Sequence, residues 1–148
     1  HGGADQAALE MAAEIGDPAG AAQWVAQALA RGDKIMGMGH REYRTVDPRA
    51  KILKPLAQAH CDQADSARLL ATLVAVEEAC QAHFASQGRQ IRANVEFYKG
   101  AVFHSLGIPA TCFTALFAMA RVYGYIAHYL EYRERRKLIR PRARYCGP

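Results

Sequence analysis

Apolar residues recur every three or four positions along most of the chain, which is the spacing of an amphipathic α-helix. The clearest run spans residues 66–86, where apolar side chains mark one face at positions 69, 73, 76, 80 and 84. The same spacing predicts further helices at residues 4–15, 47–60, 94–106 and 112–133, and another that follows Asp17-Pro18 and runs to about residue 31. Since no segment shows the alternation typical of a half-buried strand, the sequence predicts an all-α fold.

Local signals mark several ends of these predicted helices. Asp47 followed by Pro48 is typical of an N-cap and the first helical residue, and Gly16 and Gly32 follow two predicted helices as stops. Residues 34–44 contain two glycines and lack a helical period. We interpret this segment as an ordered loop whose backbone closely approaches another group.

Composition and charge narrow the class of protein. Apolar residues make up 51% and charged residues 22% of the 148 residues, which excludes a disordered tail or a collagen-like fibre. The net charge of +5 is unevenly distributed, because residues 133–148 hold seven Lys or Arg residues and one acid. A near-neutral domain with a basic end argues against a general nucleic-acid binder. No apolar run approaches the length of a membrane span, so we expect a soluble, cytoplasmic protein.

The cysteines and the first residue add two expectations. The chain has no CxxC pair, which favours reduced thiols at its four cysteines, Cys61, Cys80, Cys112 and Cys146. No metal site is predicted, because Cys80 and His83 fall inside the most periodic helix. The chain begins at His1 without a Met, which suggests a piece of a longer protein.

Three features are unusual for a purely structural domain. His40 follows two glycines, which suits either a histidine presented to a ligand or an incidental surface residue. Arg121 lies on or beside an apolar stripe, where a guanidinium needs an internal acid or a bound carboxylate as its partner. Glu96 lies among apolar residues at a helix start, where the helix dipole by itself would also favour an acid.

Taken together, six ordered segments of the chain resemble bacterial citrate synthases. They are residues 1–10 (HGGADQAALE), 34–43 (KIMGMGHREY), 47–50 (DPRA), 94–98 (NVEFY), 116–122 (LFAMARV) and 139–148 (IRPRARYCGP). Since family chains are several hundred residues long, the resemblance implies the C-terminal portion. It further implies a small helical domain at residues 1–95 and the last helices of the large domain at residues 96–148.

The resemblance implies condensation of acetyl-CoA with oxaloacetate, which needs a base at the thioester methyl group and a donor at its carbonyl oxygen. Glu96 matches the base and His1 the donor, while His40 matches the histidine that polarises the ketone of oxaloacetate. The arginines that match the dicarboxylate clamp are Arg49, Arg121 and Arg140, the last reaching from the second subunit of a dimer or higher homo-oligomer.

The resemblance also implies that backbone groups bind the adenine end of CoA and that Arg44 contacts one of its phosphates. The backbone residues are Ile35, Met36, Gly37, Met38 and Gly39. Acetyl-CoA is a co-substrate in this chemistry, and no cofactor, membrane or nucleic acid is implied.

Two residues depart from the usual pattern of the family, and they keep other functions open. Glu96 stands where Asp is most common, and Lys99 stands where a small residue, often Ser, is usual. One alternative is 2-methylcitrate synthesis from propionyl-CoA, because one methylene gives little discrimination. The other is a non-catalytic paralogue or dimerisation module, which the two departures favour. In either catalytic case, we expect no meaningful turnover from the 148 residues alone.

Overall fold

The computed structural model describes residues 2–43, 45–136, 138 and 140–147. The helices are α1 (Ala4–Ile15), α2 (Ala21–Ala30), α3 (Pro48–His60), α4 (Ala64–Ser86), α5 (Val95–Ser105), α6 (Phe113–Met119) and α7 (Val122–Arg135). Short 3₁₀ turns span Pro18–Gly20 and Ala110–Cys112. Within the described residues, extended pairing is confined to one antiparallel bridge between Met38 and Ala93. The predicted all-α fold is therefore confirmed.

The chain divides into two compact units, at residues 1–115 and 116–148. In the first unit, α5 packs against α1 and α3, and α4 packs against α1 and α2. The largest fully buried side chains at the centre of this unit are apolar or aromatic: Leu73, Val76, Phe97, Tyr98 and Phe113. The domain boundary expected between residues 95 and 96 concerns the domains of the whole family fold, and it stays a prediction.

The predicted helix starts at Asp47 and Asn94 are confirmed by their capping bonds. The Asp47 carboxylate accepts a hydrogen bond from the Arg49 backbone N–H at 2.9 Å, and Pro48 is the first helical residue. The Asn94 side-chain oxygen accepts one from the Glu96 backbone N–H at 2.9 Å. Both caps satisfy N–H groups that a helix start leaves without a partner in the helix.

The second unit corrects the prediction of one continuous helix over residues 112–133. A turn interrupts it at Ala120 and Arg121, where the Arg121 N–H donates to the Ala118 carbonyl at 3.0 Å. This i→i−3 bond breaks the α-helical ladder, so α7 starts anew at Val122. Large apolar side chains of α7 are exposed, namely Val122, Tyr123, Tyr125, Ile126, Tyr129 and Leu130. No single helix among the described residues is long and apolar enough to cross a membrane.

Candidate active site

The glycine-containing loop before α3 is held against the segment that leads into α5. The Gly39 N–H donates to the Arg92 carbonyl at 2.8 Å, and the Asn94 N–H donates to the Gly37 carbonyl at 2.9 Å. The Asn94 side-chain amide also donates to the Gly39 carbonyl at 2.7 Å. Gly37 has a φ of 81°, and a Cβ there would lie 2.8 Å from the ring of Phe97. The close approach inferred from the glycines is therefore an approach to α5.

Asp47 joins the start of α3 to the start of α5. Its Oδ1 accepts from Arg49 Nε at 3.0 Å, and its Oδ2 accepts from Arg49 Nη2 at 2.9 Å and from the Val95 N–H at 3.1 Å. Burial by itself raises the pKa of Asp47, but the hydrogen bonds from Arg49 and Val95 outweigh it, so the pKa lies below the ordinary value. The same pairing raises the pKa of Arg49. An ion pair that is charged at neutral pH therefore fixes the Arg49 guanidinium.

His40 is oriented by the backbone that follows it. Its Nδ1 accepts hydrogen bonds from the N–H groups of Glu42 at 3.1 Å and Tyr43 at 3.2 Å. In the neutral ring, this arrangement puts the proton on Nε2, which lies 3.4 Å from Arg49 Nη2. Two donors thus lie side by side, an arrangement that suits a carbonyl or carboxylate oxygen of a bound molecule.

Glu96 lies in the first turn of α5, 4% exposed, beside two other charged residues. Lys99 Nζ lies 2.7 Å from Glu96 Oε2 and 3.1 Å from Oδ2 of Asp5, a fully buried residue of α1. We call Asp5, Glu96 and Lys99 the cleft cluster. An electrostatic interaction with Glu96 also contributes to the raised pKa of Arg49, after its bonds to Asp47 and its interaction with Tyr43.

A second group of polar side chains lies between α3, α4 and α5. Lys54 Nζ donates to Glu77 Oε2 at 2.7 Å, and the Tyr98 hydroxyl donates to the same oxygen. We call these three residues the core cluster. Burial, and secondarily the bond to Glu77, raises the pKa of Tyr98, so it remains a neutral donor.

His40 and Glu96 line the same cleft, which has a volume of about 600 Å³. An adjoining cavity of about 450 Å³ is lined by the predicted CoA-binding backbone from Ile35 to Met38, together with Lys34 and Arg89. Both volumes fall in the range of small-molecule sites. The first unit therefore brings together His40, Arg49, Glu96 and the glycine loop, although their roles stay predictions.

The other predicted site residues lie outside the described residues or in the second unit. His1 and Arg44 lie outside the described residues. Arg121 belongs to the second unit, where it is exposed and its guanidinium lies 4.0 Å from the centre of the Phe117 ring. The burial expected on or beside an apolar stripe is not found, because the apolar side chains on either side of Arg121, Met119 and Val122, are exposed as well. Arg140 is exposed in the same unit.

Sequence reasoning missed the roles of Asp5 and Asp47 at this site. The sequence predicts only a helix cap at Asp47, whereas its side chain also holds Arg49 and the start of α5. Asp5 lies three and four residues before Ala8 and Leu9, on the buried face of α1, so its helical position was the available signal. Within the described residues, no group of His, Cys, Asp and Glu side chains could hold a metal ion, and the four cysteines are free thiols.

The family model described as "Citrate synthase, C-terminal domain" matches residues 1–142. The chain therefore belongs to the citrate synthase family. Among individual relatives, the citrate synthase of Saccharolobus solfataricus is 44% identical over 100% of this chain and 40% of its own length. Citrate synthase 2 of Bacillus subtilis is 37% identical over 100% of this chain and 38% of its own length. The chain thus spans about two fifths of the length of these relatives.

Solved structures agree with this family assignment. The citrate synthase of Thermoplasma acidophilum, solved as a ternary complex with carboxymethyl coenzyme A and oxaloacetate, is 40% identical with a TM-score of 0.83. That match covers 100% of this chain and 40% of the solved chain. The citrate synthase of Pyrobaculum aerophilum is 43% identical with a TM-score of 0.82, over 100% of this chain and 37% of its own. The family resemblance drawn from six sequence segments is therefore confirmed.

Proposed function

We propose that this chain forms the C-terminal part of an acyltransferase that condenses acetyl-CoA and oxaloacetate with water to give citrate and CoA. The proposal rests mainly on one arrangement, in which His40 lies beside Arg49 and lines the same cleft as the buried Glu96. An electrophile with an oxygen acceptor and a carbon acid are the two reactants that such an arrangement serves. The relative from Thermoplasma was solved with oxaloacetate and a CoA analogue, which supports these substrates.

In the proposed reaction, Glu96 takes a proton from the methyl group of the thioester. The resulting enol or enolate carbon attacks the ketone carbon of oxaloacetate, while His40 donates a hydrogen bond to the ketone oxygen. Water then cleaves the thioester and CoA leaves. His1 is proposed as the donor at the thioester oxygen, and the clamp for the two carboxylates of oxaloacetate is proposed to consist of Arg49, Arg121 and Arg140.

Acetyl-CoA is proposed to enter as a co-substrate, with its adenine end beside the glycine loop. The cavity lined by Ile35, Met36, Gly37 and Met38 also carries Lys34 and Arg89, whose positive charges suit the phosphates of CoA. No cofactor is needed for this chemistry. We further propose that the complete protein is a cytoplasmic homodimer or higher homo-oligomer, in which Arg140 of one subunit reaches the site of another, as the family resemblance implies.

The decisive assay measures free CoA released by the complete protein when it is given oxaloacetate and an acyl-CoA. We expect oxaloacetate-dependent release with acetyl-CoA, and no meaningful turnover from the 148-residue chain alone. Faster release with propionyl-CoA would favour the 2-methylcitrate alternative. Absence of release with both acyl-CoAs would contradict the proposal and favour a non-catalytic module, which the ion pair between Lys99 and Glu96 makes a specific alternative.

A further inference from the structure

Lys99 is a buried cation placed between two buried acids. Its side chain is 12% exposed, while the side chains of Glu96 and Asp5 are 5% and 0% exposed. An ammonium group at such a position is tolerated only with close anionic partners, and here the distances are 2.7 Å and 3.1 Å. Lys99 is therefore part of a buried cluster of charged side chains and is not a solvated surface residue.

The packing of α1 on α5 fixes this arrangement. A Cβ on Gly100 would lie only 2.7 Å from the Asp5 carbonyl oxygen, so the glycine permits the close contact of the two helices. Lys99 follows Glu96 by three residues, which puts both side chains on one side of α5. Asp5 is held in turn, because its Oδ1 accepts a hydrogen bond from the Gln6 N–H at 3.0 Å.

A glutamate has one more rotatable bond than an aspartate, so its carboxylate is harder to hold in one place. A contact at Oε2 restricts that motion. Catalysis by a general base depends on such placement, since a misplacement of about 1 Å can lower a rate about 100-fold.

We propose that Lys99, anchored by Asp5, is a positioning residue that holds the Glu96 carboxylate at the cleft. The role rests on the proposed function, in which Glu96 is the base. Lys99 lies on α5 with Glu96, whereas His40 lines the cleft from the glycine loop and has the Arg49 guanidinium, from α3, beside it. The lysine therefore serves the base and leaves the binding of oxaloacetate to the other two residues.

The first test substitutes Lys99→Met in the complete protein and measures kcat and KM for both substrates. We expect kcat to fall about 10- to 100-fold because the base is displaced, with KM for oxaloacetate within about twofold. In a Glu96→Gln background the same substitution should cause no further loss of kcat, because the group that it positions is already gone.

Lys99→Met leaves two buried acids without their cation, which destabilises the folded protein. A second, charge-matched variant therefore tests the role of Lys99 without that imbalance. Asp5→Asn combined with Lys99→Met preserves the formal charge of the cleft cluster at one negative charge, and it should show the same loss of kcat. The matched control is Lys54→Met, which removes a Lys–Glu contact of the same 2.7 Å length in the core cluster. This control should leave kcat within about twofold of the parent.

An unchanged kcat in the folded, charge-matched variant would overturn the positioning role, and so would an equal loss in the presence and absence of Glu96. A parent protein that releases no CoA would contradict the proposed function instead. In that case crystal structures of the parent and Lys99→Met proteins decide the question of position. We expect the Glu96 carboxylate to move by about 1 Å or more, and an unmoved carboxylate would overturn the inference.

Discussion

Two lysine–glutamate contacts of equal length, 2.7 Å, lie beside α5, and the residues around them differ. In the core cluster, Glu77 Oε2 accepts from both Lys54 and the Tyr98 hydroxyl, which ties α3, α4 and α5 together. In the cleft cluster, Glu96 contacts Lys99 and lines a cleft shared with His40. The same pair of residue types therefore serves packing in one place and faces a binding cleft in the other.

This difference shows that burial and pairing alone do not identify a catalytic acid. Glu77 is 8% exposed and Glu96 is 4% exposed, so both would be singled out by burial. The neighbours separate them, because Glu77 is bonded to the buried hydroxyl of Tyr98 and to Lys54, whose side chain is 36% exposed. Glu96 instead lines a cleft with His40, which has the Arg49 guanidinium beside it.

The largest expected effect comes from exchanging each of these acids for its amide. Glu96→Gln should lower kcat of the complete protein by about 100- to 10,000-fold, because the amide cannot accept the methyl proton. Glu77→Gln, its matched control, should lower the unfolding midpoint and leave kcat nearly unchanged. Steady-state CoA release measures kcat of both variants. Comparable losses of kcat would show that the two clusters do not differ in their role in catalysis.

Asp47→Ala should have the next largest effect, this time on stability. It removes a helix cap worth about 1 kcal/mol and leaves the buried Val95 N–H without its acceptor, at a cost of about 1–3 kcal/mol. Denaturant unfolding should show a loss of about 2 kcal/mol or more at neutral pH. A loss within experimental error would show that the bond to Val95 contributes nothing.

The pH dependence of that loss follows from the direction of the pKa shift. Since the pKa of Asp47 is lowered by folding, its ionised form contributes stability above the ordinary value of 3.8. This contribution declines as the pH falls through the lower pKa of the folded protein. The gap between the parent and Asp47→Ala should therefore narrow below about pH 4, and a gap that widens with acid would contradict the assignment.

Gly100→Ala should disturb the cleft cluster, because Gly100 permits the close packing of α1 on α5. The added Cβ would meet the Asp5 carbonyl at 2.7 Å, so α1 must move and a loss of about 1–3 kcal/mol is expected. Gly124→Ala is the matched control, because this helical glycine has open space around it and the change should be neutral or slightly stabilising. Thermal unfolding of both variants measures the contrast, and equal midpoints would contradict it.

Tyr98→Phe should have the smallest effect. It removes one donor from Glu77 while Lys54 remains, so a cost of about 1 kcal/mol in the free energy of unfolding is expected. The CoA release rate should not change, since Tyr98 belongs to the core cluster. A large loss of kcat would show that the two clusters are coupled through α5.

Features set by neighbouring residues were predictable from the sequence. The caps at Asp47 and Asn94 and the glycine stop after α1 depend on a few adjacent residues, and the helix starts followed from them. The resemblance to the family similarly identified His40, Arg49 and Glu96 as residues that belong together.

Features that depend on contacts between distant segments were not predictable in this way. Lys99 appeared in the sequence only as a departure from the family pattern, because its contact with Asp5 exists only once α1 packs on α5. The turn at Arg121 was missed because the apolar period continues through it, while the hydrogen-bond ladder does not. Tertiary packing, rather than local propensity, determines both.

The most direct test of the account follows the methyl protons of acetyl-CoA. The complete protein is incubated with oxaloacetate and with acetyl-CoA deuterated in its methyl group, and the mass of the product is measured by mass spectrometry. Condensation forms a bond between the methyl carbon and the ketone carbon and loses one deuteron, so we expect citrate that retains two deuterium atoms. Its formation should depend on Glu96 and not on Glu77. Acetate retaining all three deuterium atoms, or citrate formed equally fast by Glu96→Gln, would contradict the account.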